Sequence, residues 1–118
     1  VGRGQDEGVQ VGPLIDGRAV AGVAELVADA VRRGATAVVG GGEPDGNFYP
    51  PTVLADVPAE ARVNREEIFG PVAPVTVFAS GDEGEAEAVR LANATEYGLA
   101  SYVFTRDLDR ALTAAHRA

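Results

Sequence analysis

Between Asp16 and Gly34, Val20, Val23, Ala24, Val27, Ala30 and Val31 follow one another at helical spacing. That repeat puts an apolar stripe along one face of a helix. Asp16 offers an N-cap, Arg32 and Arg33 suit the negative end of the helix dipole, and Gly34 can close the C-terminus. A helix with one greasy face must be covered, so the remaining segments have to supply a partner layer.

They supply it in short pieces. Thr36 to Val39 is a β-branched run expected as a buried strand, and Gly40 to Asn47 is a turn-rich loop. Thr52 to Ala55 is a second strand, entered through Pro50-Pro51. Val57 to Ile68 is irregular with one helical turn, and Val72 to Phe78 is a third strand. Pro74 lacks a donor, which places that end at an edge or a bulge. Ser80 and Glu83 have capping-box spacing, and the helix after them carries Ala86 and Val89 on one face until Asn93 to Gly98 stops it. Leu99 to Phe104 is expected as a fourth strand, and Thr105 or Asp107 caps a last helix with Leu108, Ala111, Leu112 and Ala115. Alternating strands and helices predict an α/β fold, with helices layered on a small, mainly parallel sheet.

With 118 residues the chain is long enough for a core. Its formal charge of −8 and the lack of any basic stripe argue against nucleic acid or an anionic membrane as partner. No apolar run approaches the ~20 residues of a membrane span, and Val1 to Gln10 carries no signal-peptide pattern, so a cytoplasmic location is expected. All ten basic residues are Arg; with the wealth of Ala, Val and Gly, this suggests a GC-rich bacterial source. Without Cys there is no thiol nucleophile and no thiolate zinc site. Without Lys there is no Schiff-base amine, and one histidine, His116, cannot build a histidine metal site. No metal ligand set and no catalytic residue is therefore assigned. The chain also lacks Met and stops inside a helical pattern, which reads as a single segment, 1–118, of a longer protein.

Four local patterns read better as structure than as sites. Gly40-Gly41-Gly42 lacks the Lys-Ser/Thr of a phosphate loop and reads as a strand-ending turn. Asp82, Glu83, Glu85 and Glu87 miss calcium-loop spacing and suit the first turn of a helix. His116 with Ser80 or Ser101 lacks the nucleophile elbow of a hydrolase. Asn93-Ala94-Thr95 matches a glycosylation acceptor but reads as a helix terminus.

The stretch Glu66-Glu67-Ile68-Phe69-Gly70-Pro71 is different, because it sets two acids against a large apolar pair. Alone it could be a corner of the core. It occurs in order with Gly12-Pro13-Leu14-Ile15-Asp16, Pro51-Thr52-Val53-Leu54 and Tyr97-Gly98-Leu99-Ala100-Ser101. Together these resemble the later part of the NAD(P)-dependent aldehyde dehydrogenase superfamily, over almost the whole chain. Phe48-Tyr49-Pro50-Pro51, Val72-Ala73-Pro74-Val75 and Tyr102 to Leu108 are most similar to the succinate-semialdehyde dehydrogenase branch.

The resemblance implies a portion of the catalytic domain of an enzyme that oxidises an aldehyde to the acid with NAD or NADP. In that family a Cys thiolate attacks the aldehyde, hydride passes to the cofactor, and a general-base Glu activates water on the thioester. The resemblance places that Cys, that Glu and the Rossmann domain before this chain, and the oligomerisation segment after it. It gives Glu67 the nicotinamide-ribose hydroxyls and sets Phe69 beside the nicotinamide, with Glu66 and Ile68 structural. It also implies a small-molecule aldehyde substrate, a homo-oligomeric whole protein and an isolated chain without activity. The alternative is a non-catalytic binding or scaffold module sharing the fold; an upstream Cys and dinucleotide-binding domain in the coding sequence would separate the two.

Overall fold

The computed structural model describes residues 1–117. The chain divides into two compact units, Val1–Thr76 and the remainder from Val77. The first unit contains helix α1 (Gly17–Arg32), strands β1 (Thr36–Val39) and β2 (Thr52–Ala55), a 3-10 turn (Arg62–Asn64) and strand β3 (Val72–Pro74). The second contains helices α2 (Asp82–Ala92) and α3 (Leu108–Arg117).

Helix α1 forms where the pattern put it. The Asp16 carboxylate accepts the Ala19 N–H at 2.8 Å. Arg33 closes the last turn, and Gly34 follows at φ 115°, a conformation in which a side chain would be strained. Its stripe of Val20, Val23, Leu26, Val27 and Ala30 is buried against Ala35, Tyr49, Leu54, Val57, Ala61 and Val63. That cluster is the core of the first unit. Leu14, Ala24, Ile68 and Val72 border it.

The sheet has the order β1-β2-β3. β1 runs antiparallel to β2 and β3 runs parallel to it, so the sheet is mixed rather than mainly parallel within its α/β frame. β2 alternates as a half-buried strand should, with Thr52 and Leu54 inside. β1 was expected to be buried, yet all four of its residues are exposed. It is an edge strand, and α1 spends its apolar stripe on β2 and the loops instead.

β3 stops at Pro74, short of the expected Phe78. Its partner β2 ends at Ala55, and after one further bond, Val75 N–H to Leu54 O at 2.8 Å, the template runs out. Pro74 lies on an edge strand, where its missing donor costs no ladder bond.

In the second unit α2 starts at Gly81, at φ 89°, and no side chain caps it, so Ser80 and Glu83 form no capping box. A Cβ on Gly84 would sit 1.6 Å from the Ala79 carbonyl oxygen. Glycine there lets the chain entering α2 lie flat against the helix. Asp107 caps α3 by accepting the Arg110 N–H at 3.1 Å, while Thr105 Oγ1 accepts the Asp107 N–H at 3.1 Å. Glu85 and Arg110 pair at 2.9 Å, tying α3 to α2. Leu99 to Phe104 forms no strand. The segment has the expected strand-like composition but no partner among the described residues, and all six residues are exposed.

Candidate functional site

The segment from Arg62 to Val72 is bound to α1 at both ends. At its start, Asp29 projects from α1 with only 6 % of its surface exposed. Its Oδ2 accepts the Arg62 backbone N–H at 3.0 Å, and both its oxygens accept from Arg33 Nε at 3.0 and 2.9 Å. Arg32 stands 3.8 Å away. The Arg62 N–H bond, more than the neighbouring guanidinium of Arg33, holds the Asp29 carboxyl below its ordinary value. The buried charge is thus compensated by donors on two elements.

Arg62 then holds Glu66 in a two-pronged grip. Nε donates to Oε1 at 2.6 Å and Nη2 donates to Oε2 at 2.9 Å. The fork of a guanidinium matches a carboxylate in this way. The hydrogen bond lowers the Glu66 carboxyl and raises the Arg62 guanidinium.

At the far end Gly70 lies against α1. A Cβ there would come within 2.7 Å of Val23 Cγ2, so glycine permits the close approach. Pro71 is the middle residue of a three-residue turn closed by Val72 N–H to Gly70 O at 2.9 Å. The fixed φ of proline suits that turn. The Pro71 carbonyl accepts the Thr52 N–H at 2.8 Å and so joins the segment to β2.

Between these anchors exposure alternates. Glu67 is exposed, Ile68 is half-buried against the core, and Phe69 is 75 % exposed. Glu67 enters no hydrogen bond or ion pair of its side chain among the described residues, whereas its neighbour Glu66 is occupied. Two adjacent acids therefore differ in kind: one is fixed within the fold and one faces outward. The Phe69 ring is thus left outside the core of the first unit.

The resemblance picked out Glu67 and Phe69; the structure leaves both exposed, packs Ile68 against the core and pairs Glu66 with Arg62. The sequence pattern missed Asp29 and Arg62. The signal was present: Asp29 interrupts the apolar face of α1 beside Ala30, and Arg62 stands four residues before Glu66, the spacing of a helical ion pair.

The other local patterns resolve as structure. Gly40 and Gly41 have φ of 68° and 73°, the Gly41 N–H donates to Thr52 Oγ1 at 3.0 Å, and a Cβ on Gly40 would overlap the Pro51 carbonyl oxygen. The triple glycine turns β1 back onto β2. Of the acids near α2, Glu85 is paired with Arg110 and Glu87 with Arg90. Among the described residues no three acids or histidines gather as a metal site. His116 is exposed on α3, and Asn93 caps the end of α2 while donating to the Arg117 carbonyl at 2.6 Å. The second unit holds a cavity of about 610 Å³ lined chiefly by Phe78, Val89, Tyr102 and Phe104, with Glu85 and Arg110 as its ion pair.

The profile of the aldehyde dehydrogenase family matches residues 1–118. The chain is 52 % identical over 112 residues to the NADP(+) succinate-semialdehyde dehydrogenase GabD of Escherichia coli (strain K12), covering 93 % of this chain and 22 % of that protein. It is 49 % identical over 115 residues to the glutarate-semialdehyde dehydrogenase of Pseudomonas putida, covering 98 % of this chain and 23 % of that one. The crystal structure of succinate-semialdehyde dehydrogenase from Burkholderia pseudomallei superimposes with a TM-score of 0.91 at 44 % identity, over 99 % of this chain and 24 % of that one. The chain thus spans about a quarter of the length of these relatives. The chain belongs to the aldehyde dehydrogenase family.

Proposed function

We propose that this chain is the nicotinamide-positioning portion of an NAD- or NADP-dependent dehydrogenase that oxidises a short semialdehyde, succinate semialdehyde first, to the dicarboxylic acid. The observation that carries the reading is the outward Glu67 and Phe69 on a segment otherwise locked to α1.

The residues present suit such a cofactor. An ionised carboxylate is a pure acceptor with two oxygens, and a ribose offers two adjacent hydroxyl donors. Glu67 has both oxygens available among the described residues, and it stands on a backbone held at either side. Phe69 offers an apolar face, which restricts where a flat ring can settle. The nicotinamide, when bound, takes the hydride leaving the aldehyde carbon. Glu67 and Phe69 fix the ring's place, and hydride transfer depends steeply on that alignment. The chain has no Cys, so in this reading the nucleophile comes from elsewhere in a longer protein. The whole enzyme is read as a cytoplasmic bacterial homo-oligomer. The substrate assignment is supported by relatives named for semialdehydes that end in a carboxylate.

The test is Glu67→Gln in the full-length enzyme. It is expected to weaken cofactor binding or slow hydride transfer, with circular dichroism and Tm nearly unchanged. Wild-type kinetics together with wild-type cofactor affinity would refute the reading. Comparing kcat/KM for succinate and glutarate semialdehydes tests the substrate; a preference for a long or aromatic aldehyde rules out the assignment.

A further inference from the structure

We propose that Arg62, seated by Asp29, is the positioning residue that aims Glu67 at its ligand. The inference rests on the cofactor-positioning reading above and adds the residues that make it possible.

Arg62 engages through its backbone N–H, its carbonyl and two guanidinium nitrogens. Its N–H donates to the buried Asp29 carboxylate at 3.0 Å. Its carbonyl accepts the N–H groups of Arg65 and Glu66, each at 2.9 Å. Its guanidinium grips both Glu66 oxygens at 2.6 and 2.9 Å. Glu66 is thereby held by backbone and side chain at once, and Glu67 is the next residue. Ile68, on the other side of Glu67, packs against the core, so the backbone carrying Glu67 is anchored before and after it.

Stability does not account for this arrangement. Arg62 and Glu66 side chains are 42 % and 48 % exposed, and exposed pairs contribute little to folding. A second acid paired internally does have a use beside an acid that must stay free. It occupies the Arg62 guanidinium, so that this cation is already engaged. The pair holds the backbone from which the free carboxylate projects.

The experiment is Arg62→Gln in the full-length enzyme. The substitution keeps the backbone bond to Asp29 and removes the grip on Glu66. The expected result is a cofactor Kd raised about 10-fold, on the scale of a misaligned binding group, with the aldehyde KM little changed. Adding Arg62→Gln to Glu67→Gln should then bring no further loss, because the first acts only through the second. The exchange of Arg62→Glu with Glu66→Arg should restore part of the affinity, which a merely structural role would not require. If Glu67→Gln weakens cofactor binding and Arg62→Gln does not, the proposal is overturned and the cofactor reading stands. If both losses add in full, Arg62 acts independently of Glu67 and the proposal is again overturned. If Glu67→Gln has no effect, the cofactor reading fails and this proposal fails with it. Should Arg62→Gln fold poorly, the exchanged pair decides: a folded enzyme with wild-type Tm and unrestored affinity counts against it.

Discussion

Asp29 is the residue on which most of the candidate site depends. It is a carboxylate buried in the apolar face of a helix, and it is held there by an N–H from the 3-10 turn and by Arg33. The carboxyls of Asp29 and Glu66 both lie below their ordinary values of 3.8 and 4.5 in the folded chain. A lowered folded pKa means that folding favours the ionised form. Their contribution is therefore complete above those ordinary values and is lost as pH falls through the lowered ones. Urea midpoints of the wild type are expected to hold from neutrality to about pH 5 and then to drop. In Asp29→Asn the acid drop should be shallower and stability at neutral pH lower, whereas Glu66→Gln, in an exposed pair, should change stability little. An unchanged acid slope in Asp29→Asn would contradict the assignment.

Among the elements, the turn at Gly70-Pro71 shows how a small residue sets a large one. With no Cβ, Gly70 lets the segment touch α1 beside Val23, and Phe69 is carried just outside that contact. Gly70→Ala puts a methyl 2.7 Å from Val23 Cγ2. Overpacking of this kind costs about 1–3 kcal/mol. The expected outcome is a lower Tm together with a raised cofactor KM, because the turn that presents Phe69 must lift. Val23→Ala opens room for that methyl, so the double variant should recover cofactor KM more than Tm. A KM left unmoved by Gly70→Ala, with Tm reduced, would make the turn a matter of packing alone.

At the scale of the molecule, the exposure of the second unit's apolar residues governs how the chain should behave by itself. Leu99 is fully exposed, Tyr102, Phe104 and Leu108 are more than two-thirds exposed, and α3 has no buried residue. A strand-like segment with unpaired backbone and apolar side chains invites pairing with another copy. The isolated 118 residues are therefore expected to associate as concentration rises, seen by light scattering, and Tyr102→Lys should reduce it. The isolated chain is also expected to reduce neither NAD nor NADP with any aldehyde, followed by absorbance. Cofactor reduction by the purified chain would show that the nucleophile need not come from elsewhere.

The sequence by itself determined whatever local periodicity and capping chemistry decide. Asp16 and Gly34 bounded α1, Asp107 started α3, and Thr52 to Ala55 formed the short strand expected after Pro50-Pro51. The cofactor roles proposed for Glu67 and Phe69 rest on resemblance through a short motif. The tertiary structure decided what depends on a neighbour. Thr36–Val39 became an exposed edge because α1 covers β2 and not β1, and Leu99 to Phe104 stayed unpaired because a strand needs a second backbone. Only in three dimensions does Asp29 meet Arg62 and Gly70 meet Val23, since each contact joins residues more than thirty positions apart. Helices close their hydrogen bonds within four residues, whereas a sheet edge or a clamped loop is settled by what the rest of the chain brings to it.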